Sequence, residues 1–312
     1  MTDRPLWTPS AARMAEANLT RFVAAANARH GQRLTGFRDT LRFSVEQPEA
    51  FWSLLWDFCG VRAETRGSRV LVDGGRMPGA RFFPDARLNY AENLLVKSDD
   101  SDALVFRGED KVARRMSWRE LNARVAQMHR ALAAAGIGPG DRVCAVVPNM
   151  PESIVSFLAV ASLGAIWSSC SPDFGERGIL DRFGQIEPRL LITCDAYYYA
   201  GKTIRMADKI GNVLKELKSV TQAVVIDYAG EAESVAAALP GAASFQAFLA
   251  GHDEGPIAFA QMPFDHPLYI LYSSGTTGIP KCIVHRAGGI LLKHLCEHVL
   301  NTDTKASDRL FY

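Results

Sequence analysis

A short stretch with two glycines, four hydroxyl residues and a lysine contains the residue types that hold phosphate groups. It follows an apolar run at 269–272 and has the order Ser273-Ser-Gly-Thr-Thr-Gly-Ile-Pro-Lys281. Glycine has no Cβ, so the backbone at Gly275 and Gly278 can turn its N–H groups towards one point. Lys281 adds a compact positive charge suited to phosphate. Further hydroxyl donors come from Ser273, Ser274, Thr276 and Thr277, so the loop is predicted to bind a polyphosphate.

The loop differs in three ways from a Walker A loop, whose pattern is G-x-x-x-x-G-K-[ST]. The sixth position from Gly275 is Pro280 rather than glycine, and Lys281 is followed by Cys282 rather than a hydroxyl residue. A Walker A loop also opens a helix, whereas the β-branched residues after Lys281 predict a strand. We therefore expect this loop to join strand to strand. The alternative is a surface turn without a ligand, which this order of residues disfavours.

The sequence around the loop predicts an α/β fold. From residue 103 onwards, continuous apolar strands alternate with amphipathic helices, which indicates a mostly parallel sheet flanked by helices on both faces. A capping box at Ser117 and Glu120 begins one helix, which Gly136 ends, and Pro151 lies in the first turn of the next, which runs to Gly164. The other predicted helices are 176–186 and 202–217, and the predicted strands are 103–106, 111–116, 143–147, 165–168, 190–193 and 223–226.

The first 97 residues show a less regular pattern, rich in arginine and aromatic residues. A helix is predicted at 11–29. Trp52 and Trp56 lie in the apolar segment 51–58, whose spacing fits one face of a helix, so we expect core packing there rather than a stacking site for a ligand. The polar residues 98–102 predict a boundary between a helical and irregular lead-in region, 1–97, and a main domain, 98–312.

Composition and charge indicate an ordinary globular enzyme. The formal net charge of +1 gives no electrostatic reason to expect nucleic acid or an anionic membrane as a partner. The six cysteines show no C-x-x-C pairing, which favours a reducing compartment. The apolar run 154–167 is too short to span a membrane, and no apolar segment of a signal peptide is present near Met1. A cytoplasmic protein is therefore expected.

A second pattern, His294-Leu-Cys-Glu-His298, matches the zinc-peptidase motif H-x-x-E-H. The predicted helix at 286–300 would place both imidazoles on one face. A third ligand would have to come from elsewhere in the chain, and the helix also has an apolar stripe. We therefore interpret this segment as a partly exposed helix and assign no metal ligand.

The loop from Ser273 to Lys281 resembles the phosphate loop of the acyl-adenylate-forming (AMP-binding) superfamily, which includes acyl-CoA synthetases, luciferases and nonribosomal adenylation domains. The segments 6–9, 51–58, 83–95 and 167–174 resemble, within it, the acetoacetyl-CoA synthetases. The resemblance implies the N-terminal large-domain portion of the adenylate-forming fold. It also implies a ligase (acetoacetate–CoA ligase) that uses ATP, Mg²⁺ and coenzyme A. By resemblance the phosphates are lined by Ser273, Ser274, Gly275, Thr276, Thr277, Gly278 and Lys281.

The resemblance implies a catalytic role for Lys281, as an electrostatic partner of the phosphates or as a brace for the loop. Lys202 matches a region that approaches a coenzyme A phosphate in related short-chain synthetases, although a solvated lysine at a helix start is an equal interpretation. The family's adenine and ribose motifs and its small C-terminal domain would follow Tyr312. We therefore expect a truncated AMP-binding domain that is inactive by itself. Alternatives are a synthetase for acetate or propionate, or a non-catalytic nucleotide-binding remnant; the oligomeric state is left open.

Overall fold

The structure is a computed structural model, and it describes residues 6–273 and 278–311. These residues form two compact units. The first contains residues 6–87, 263–265 and 288–311, and the second contains 88–262 and 266–287 without the undescribed residues 274–277. The second unit starts at residue 88, so the polar segment 98–102 lies inside it. Asn89, near its start, donates hydrogen bonds to the carbonyl oxygens of Ala161 and Ser162 of the same unit. The division into 1–97 and 98–312 stays a prediction.

The elements are numbered in chain order. The helices are α1 (Ala11–Glu16), α2 (Asn18–His30), α3 (Phe37–Glu46), α4 (Pro48–Phe58), α5 (Tyr90–Leu94), α6 (Trp118–Ala134), α7 (Pro151–Ser162), α8 (Glu176–Phe183), α9 (Ala207–Glu216), α10 (Ala232–Ala238), α11 (Phe245–Leu249) and α12 (Ala287–Leu295), and a π-helix follows at Cys296–Asn301. The strands are β1 (Leu71–Val72), β2 (Arg81–Phe82), β3 (Arg87–Leu88), β4 (Asp102–Gly108), β5 (Val112–Ser117), β6 (Arg142–Val146), β7 (Ile166–Cys170), β8 (Leu190–Cys194), β9 (Ala196–Tyr199), β10 (Lys202–Arg205), β11 (Gln222–Ile226), β12 (Ala242–Ser244), β13 (Met262–Pro263), β14 (Pro267–Ser273) and β15 (Lys281–Arg286).

The first unit has an aromatic core built by helices α2, α3 and α4 and the π-helix. The rings of Phe22 and Phe51 meet edge to face at 5.4 Å between centroids, and Trp56 lies against Phe83 at 4.8 Å. The prediction that segment 51–58 packs in a core is therefore confirmed. The single helix predicted at 11–29 is wrong in one respect, because Ala17 has an extended backbone and separates α1 from α2.

The second unit is built on a seven-stranded sheet with the order β12-β11-β8-β6-β7-β14-β15. The first six of these strands are parallel, and β15 returns antiparallel to β14. All five residues of β8 are buried, as expected for a strand covered on both faces. The predicted mostly parallel sheet flanked by helices is confirmed.

Helices α7 and α8 cover opposite faces of this sheet. Phe157 of α7 contacts Trp167 and Tyr269, with ring centroids 6.1 Å apart in both cases. Phe183 of α8 contacts Tyr272, at 6.4 Å. Successive side chains of a strand point to opposite faces, so the odd-numbered Tyr269 and the even-numbered Tyr272 of β14 face different helices.

The predicted helix at 202–217 is wrong in its first turn. Lys202 begins strand β10, which forms an antiparallel hairpin with β9, and the helix α9 starts only at Ala207. The turn consists of Ala200 and Gly201, with φ values of 50° and 75°. Two consecutive residues with positive φ form the turn that matches the twist of a two-stranded hairpin. The local turn therefore overrides the helical pattern.

Candidate functional site

The predicted phosphate loop connects the ends of strands β14 and β15. Ser273 and Lys281 are directly opposite each other in the antiparallel register, so their side chains lie on the same face of the hairpin. Ser273 is half-buried and Lys281 is exposed. The predicted strand-to-strand connection is thus confirmed. Ser274, Gly275, Thr276 and Thr277 lie outside the described residues.

The residues that lead from the loop into β15 include a glycine with a positive φ. They also contact Gln185, which follows the C-terminus of helix α8. Gly278 has a φ of 127°, a conformation that side-chain-bearing residues rarely adopt. Two residues later, the carbonyl oxygen of Pro280 accepts a hydrogen bond from the Gln185 amide at 2.8 Å. Gln185 therefore fixes the backbone next to Lys281, a contact that the sequence analysis did not predict.

A cavity of about 580 Å³ lies beside the hairpin, at the carboxyl ends of β6 and β7. Its apolar wall includes Phe157, Trp167, Tyr269 and Leu271, and its polar rim includes Asn149, Ser153, Ser169 and Ser171. In open α/β sheets, ligands bind outside the carboxyl ends of the strands. The cavity therefore has both the size and the position of a small-molecule site.

Cys170 also lines this cavity, and it is the residue whose chemistry has to be considered there. Burial raises the pKa of its thiol to about 12. A thiol with so high a pKa stays protonated at neutral pH, and the thiolate is the nucleophilic form. Cys170 is therefore part of the wall rather than a nucleophile.

The opposite face of β14 carries a hydrogen-bonded tyrosine. The Tyr272 hydroxyl lies 3.0 Å from the Ser168 hydroxyl, and burial raises the pKa of Tyr272. The Arg182 guanidinium stacks over Phe174 at 4.0 Å and faces Tyr272 at 5.8 Å. Since Phe174 follows β7 and Tyr272 lies in β14, Arg182 links the ends of the two neighbouring strands.

Lys202 lies apart from the loop. It is exposed, and in the β9–β10 hairpin it pairs with Tyr199. The hairpin follows β8, and β8 is separated from β14 by β6 and β7, so the two strand ends are three strand spacings apart, roughly 14 Å. The structure places Lys202 on the carboxyl-end side of the sheet, as it does Ser273 and Lys281, but at the end of a different strand.

Asp195 orders the backbone that follows the carboxyl ends of β8 and β11, and it was not predicted as a site residue from the sequence. Its fully buried carboxylate accepts hydrogen bonds from the backbone N–H groups of Ala196, Tyr228, Ala229 and Glu231. At the other end of the hairpin, the Gly201 N–H donates to the Glu109 carboxylate at 3.0 Å. The one signal in the sequence was a single acidic residue directly after an apolar strand.

The H-x-x-E-H segment lies in the first unit, and its geometry is not that of a regular helix. His294 belongs to α12, whereas His298 lies in the π-helix, with the two ring centroids 6.2 Å apart. Glu297 accepts a hydrogen bond from Asn301 and forms an ion pair with Lys293. Across the described ranges, no group of three or more His, Cys, Asp or Glu side chains is arranged to hold a metal ion.

Sequence comparisons relate this geometry to known proteins. A family model described as "AMP-binding enzyme" matches residues 92–311, which is more than half of the chain. The chain belongs to the AMP-binding enzyme family. A second model, described as "Acetyl-coenzyme A synthetase N-terminus", matches residues 37–94. Within residues 6–273 and 278–311, no helix is long and apolar enough to cross a membrane.

Individual members of the family are similar along nearly the whole chain. The acetoacetyl-coenzyme A synthetase of Rhizobium meliloti (strain 1021) is 50% identical over 310 residues, which cover 99% of this chain and 47% of that protein. The malonamoyl-CoA synthetase of Penicillium aethiopicum is 38% identical over 98% of this chain and 44% of its own length. A solved structure of an acetoacetyl-CoA synthetase from Streptomyces lividans is 41% identical and superposes with a TM-score of 0.91, over 99% of this chain and 47% of that one. The chain thus spans about half the length of the relatives it matches.

Proposed function

We propose that this chain is part of an acid–thiol ligase that activates acetoacetate with ATP and transfers the acetoacetyl group to coenzyme A. The observation that supports it best is the pairing of Ser273 and Lys281 at the carboxyl end of β14. A hydroxyl and an ammonium group there flank a loop of glycine and hydroxyl residues. The similarity to acetoacetyl-CoA synthetases supports the choice of acid.

In the proposed reaction the acid's carboxylate oxygen attacks the α-phosphorus of ATP, and the bond to pyrophosphate breaks. The thiol of coenzyme A then attacks the acyl carbonyl carbon of the adenylate, and AMP leaves. The first step brings a carboxylate towards three charged phosphates. Donors held in fixed positions reduce that repulsion and stabilise the departing pyrophosphate.

The proposed phosphate ligands are Ser273, Ser274, Gly275, Thr276, Thr277, Gly278 and Lys281. The hydroxyl oxygens of this set suit Mg²⁺ bound to ATP, since Mg²⁺ prefers oxygen ligands and takes several of them from substrate phosphates. Lys281 is exposed at the hairpin end, where its ammonium group is free to turn towards a phosphate. Its proposed role is to offset the negative charge that leaves with pyrophosphate.

Lys202 is proposed as a contact for a phosphate of coenzyme A. Two observations support this assignment: its exposure, and the fixation of its hairpin by Asp195 at one end and Glu109 at the other. A charged group on a rigid hairpin loses little conformational entropy when it binds an anion. The alternative is a solvated lysine without a ligand.

The identity of the acid has a second candidate. The malonamoyl-CoA synthetase of Penicillium aethiopicum is also similar to this chain. A malonamoyl group differs from an acetoacetyl group by an amino group in place of a methyl group, so the two acids have nearly the same shape. A site that hydrogen-bonds the amide would discriminate strongly between them, whereas an apolar site discriminates weakly.

The test is ATP–pyrophosphate exchange by the 312-residue chain, with acetoacetate, malonamate, acetate, propionate and butyrate in separate reactions, together with calorimetric titration of MgATP. Exchange that depends on acetoacetate would establish the proposed adenylation in this chain. Exchange with a different acid alone would correct the substrate. Binding of ATP without any exchange would mean that the chain is either an inactive part of a longer ligase or a non-catalytic nucleotide-binding protein, and the absence of ATP binding would refute the phosphate-loop assignment.

A further inference from the structure

A second cleft, of about 380 Å³, lies in the second unit next to the β4–β5 hairpin. It shares no lining residue with the cavity beside the phosphate loop. Four arginines line it: Arg114 and Arg115 of β5, and Arg119 and Arg124 of α6. The cleft thus brings four guanidinium groups together in a chain whose formal net charge is only +1.

The four arginines differ in how firmly they are held. Arg114 forms a two-pronged ion pair with Glu152, at 2.6 and 2.8 Å, and its charge is thereby offset. Arg115 and Arg119 pair with Asp102 and Asp100, neither of which lines the cleft. Arg124 donates to the neutral amide oxygen of Gln127, at 3.0 Å.

Three of these guanidinium groups can therefore turn towards a ligand at little cost. The side chains of Arg115 and Arg119 are 61% and 65% exposed, and ion pairs of such exposed groups contribute only about 0–1 kcal/mol. For Arg124, the hydrogen-bond partner is an uncharged amide, and its charge also helps to lower the pKa of Glu120. A charged acceptor in the cleft makes stronger hydrogen bonds than that amide.

The size and lining of the cleft limit the ligand. Met116, Val155 and Phe245 form an apolar part of the wall, so the space for a charged group lies at the arginine side. Guanidinium forks match two oxygens of one carboxylate or phosphate group. We propose that this cleft is a second anion site, which binds a compact dianion such as a phosphate group or a small dicarboxylate.

Three glutamates also line the cleft, and they decide how strongly it attracts an anion. Glu152 is offset by Arg114, and Glu120 accepts hydrogen bonds from the Ser117 backbone and side chain in the capping box. Glu254 is exposed and lies at the edge of the cleft. Glu120 keeps its negative charge, because Ser117 is uncharged, so Glu120 and Glu254 both oppose an incoming anion; Glu254 is the one whose replacement leaves the capping box intact.

Calorimetric titration at low salt tests the site with two probes, inorganic phosphate and succinate, because screening weakens exposed charge interactions. Arg124→Gln is expected to raise the dissociation constant about tenfold, the loss of one charged hydrogen bond. Arg119→Gln, at an exposed position, is expected to weaken binding without affecting folding. Glu254→Gln is expected to tighten binding a few-fold. Arg33→Gln removes the same charge from an exposed position in the first unit and serves as the matched control.

Lys281→Ala separates this site from the phosphate loop. Binding that persists in Lys281→Ala and Arg33→Gln but weakens in Arg124→Gln supports the proposal, and the probe that binds more tightly identifies phosphate or dicarboxylate as the preferred group. The proposal is overturned if neither anion binds the wild-type chain at millimolar concentration. It is equally overturned if binding is lost in Lys281→Ala and unchanged in Arg124→Gln and Arg119→Gln.

Discussion

Replacing Asp195 with alanine tests whether one buried carboxylate stabilises the segments that follow the carboxyl ends of β8 and β11, near the candidate site. The carboxylate accepts hydrogen bonds from four backbone N–H groups, at N···O distances between 2.7 and 3.1 Å. One of these groups begins strand β9, and the other three lie after β11 in residues 228–231. Alanine removes both carboxylate oxygens, so all four N–H groups lose their acceptor at once.

The expected loss of stability follows from the burial of the donors. Each buried donor without an acceptor costs about 1–3 kcal/mol. Ala196 is fully buried, so its N–H group cannot reach water, whereas Tyr228, Ala229 and Glu231 are only half-buried and can be partly hydrated after a small shift. We therefore expect Asp195→Ala to lower the free energy of unfolding by about 3–5 kcal/mol, less than the sum over four fully buried donors.

Urea denaturation, followed by tryptophan fluorescence, measures this change. Asp195→Asn keeps the shape and one oxygen acceptor but turns an amide N–H₂ group towards other donors, so an intermediate loss is expected. Asp110→Ala is the matched control, because the Asp110 side chain is 79% exposed, and exposed substitutions change stability by about 0.5 kcal/mol or less. A loss below about 1 kcal/mol for Asp195→Ala, with an unchanged denaturant slope, would refute the role of the carboxylate in stabilising these segments.

Three further substitutions test other residues of the second unit. Burial and a hydrogen bond with Asp195 raise the pKa of Asp227 above its ordinary value of 3.8. The native state therefore binds this proton more tightly than the unfolded chain does. As a result, the stability of the wild-type protein falls as the pH rises from 3.8 through the native pKa. Asp227→Asn keeps a donor for Asp195 without this proton, and its stability relative to wild type is expected to increase over the same pH range; unfolding midpoints that shift in parallel at every pH would contradict this. In the longer ligase of which this chain is proposed to be a part, Lys281→Ala is expected to slow ATP–pyrophosphate exchange on the order of 100-fold, because a charge partner of the transition state is lost. Its melting temperature should stay close to that of Lys218→Ala, another exposed lysine. Equal losses of folded protein and exchange activity would show that Lys281 is structural. Gln185→Ala removes the hydrogen bond to Pro280 and is expected to raise the dissociation constant of MgATP a few-fold in calorimetric titration, without changing the melting temperature. An unchanged dissociation constant would show that the contact does not position the loop.

The sheet and the position of the loop were predictable because their signals are local. A strand made almost entirely of apolar residues, such as β8, is stable when both of its faces are covered, and this indicates the parallel arrangement. The capping box of Ser117 and Glu120 is formed as predicted. The strand before the loop and the β-branched residues after Lys281 predicted a strand-to-strand connection, and the structure shows that β14 and β15 pair as an antiparallel hairpin.

The contacts that support the candidate site were not predictable, since they join residues far apart in sequence. Asp195 receives hydrogen bonds from residues more than thirty positions away. Gln185 reaches Pro280 across 95 positions. Neither side chain belongs to a motif, and both act on backbone atoms, which every residue carries. The β9–β10 hairpin was missed for the opposite reason, because its turn is only two residues long and strand β10 lies inside the segment 202–217, which was predicted as a helix.

In a parallel sheet, the loops that follow the strands all lie at the carboxyl ends, and both proposed phosphate sites lie there. The loop after β14 and the hairpin after β8 are separated by the ends of β7 and β6. A ligand that spans them must therefore cross residues 147–149 and Ser171, and these residues line the cavity of about 580 Å³. On the proposed assignment, with ATP phosphates at Lys281 and a coenzyme A phosphate at Lys202, we propose that the thiol meets the adenylate in this cavity. The apolar wall formed by Phe157, Trp167 and Tyr269 would exclude water from that meeting point, which protects a reactive adenylate from hydrolysis.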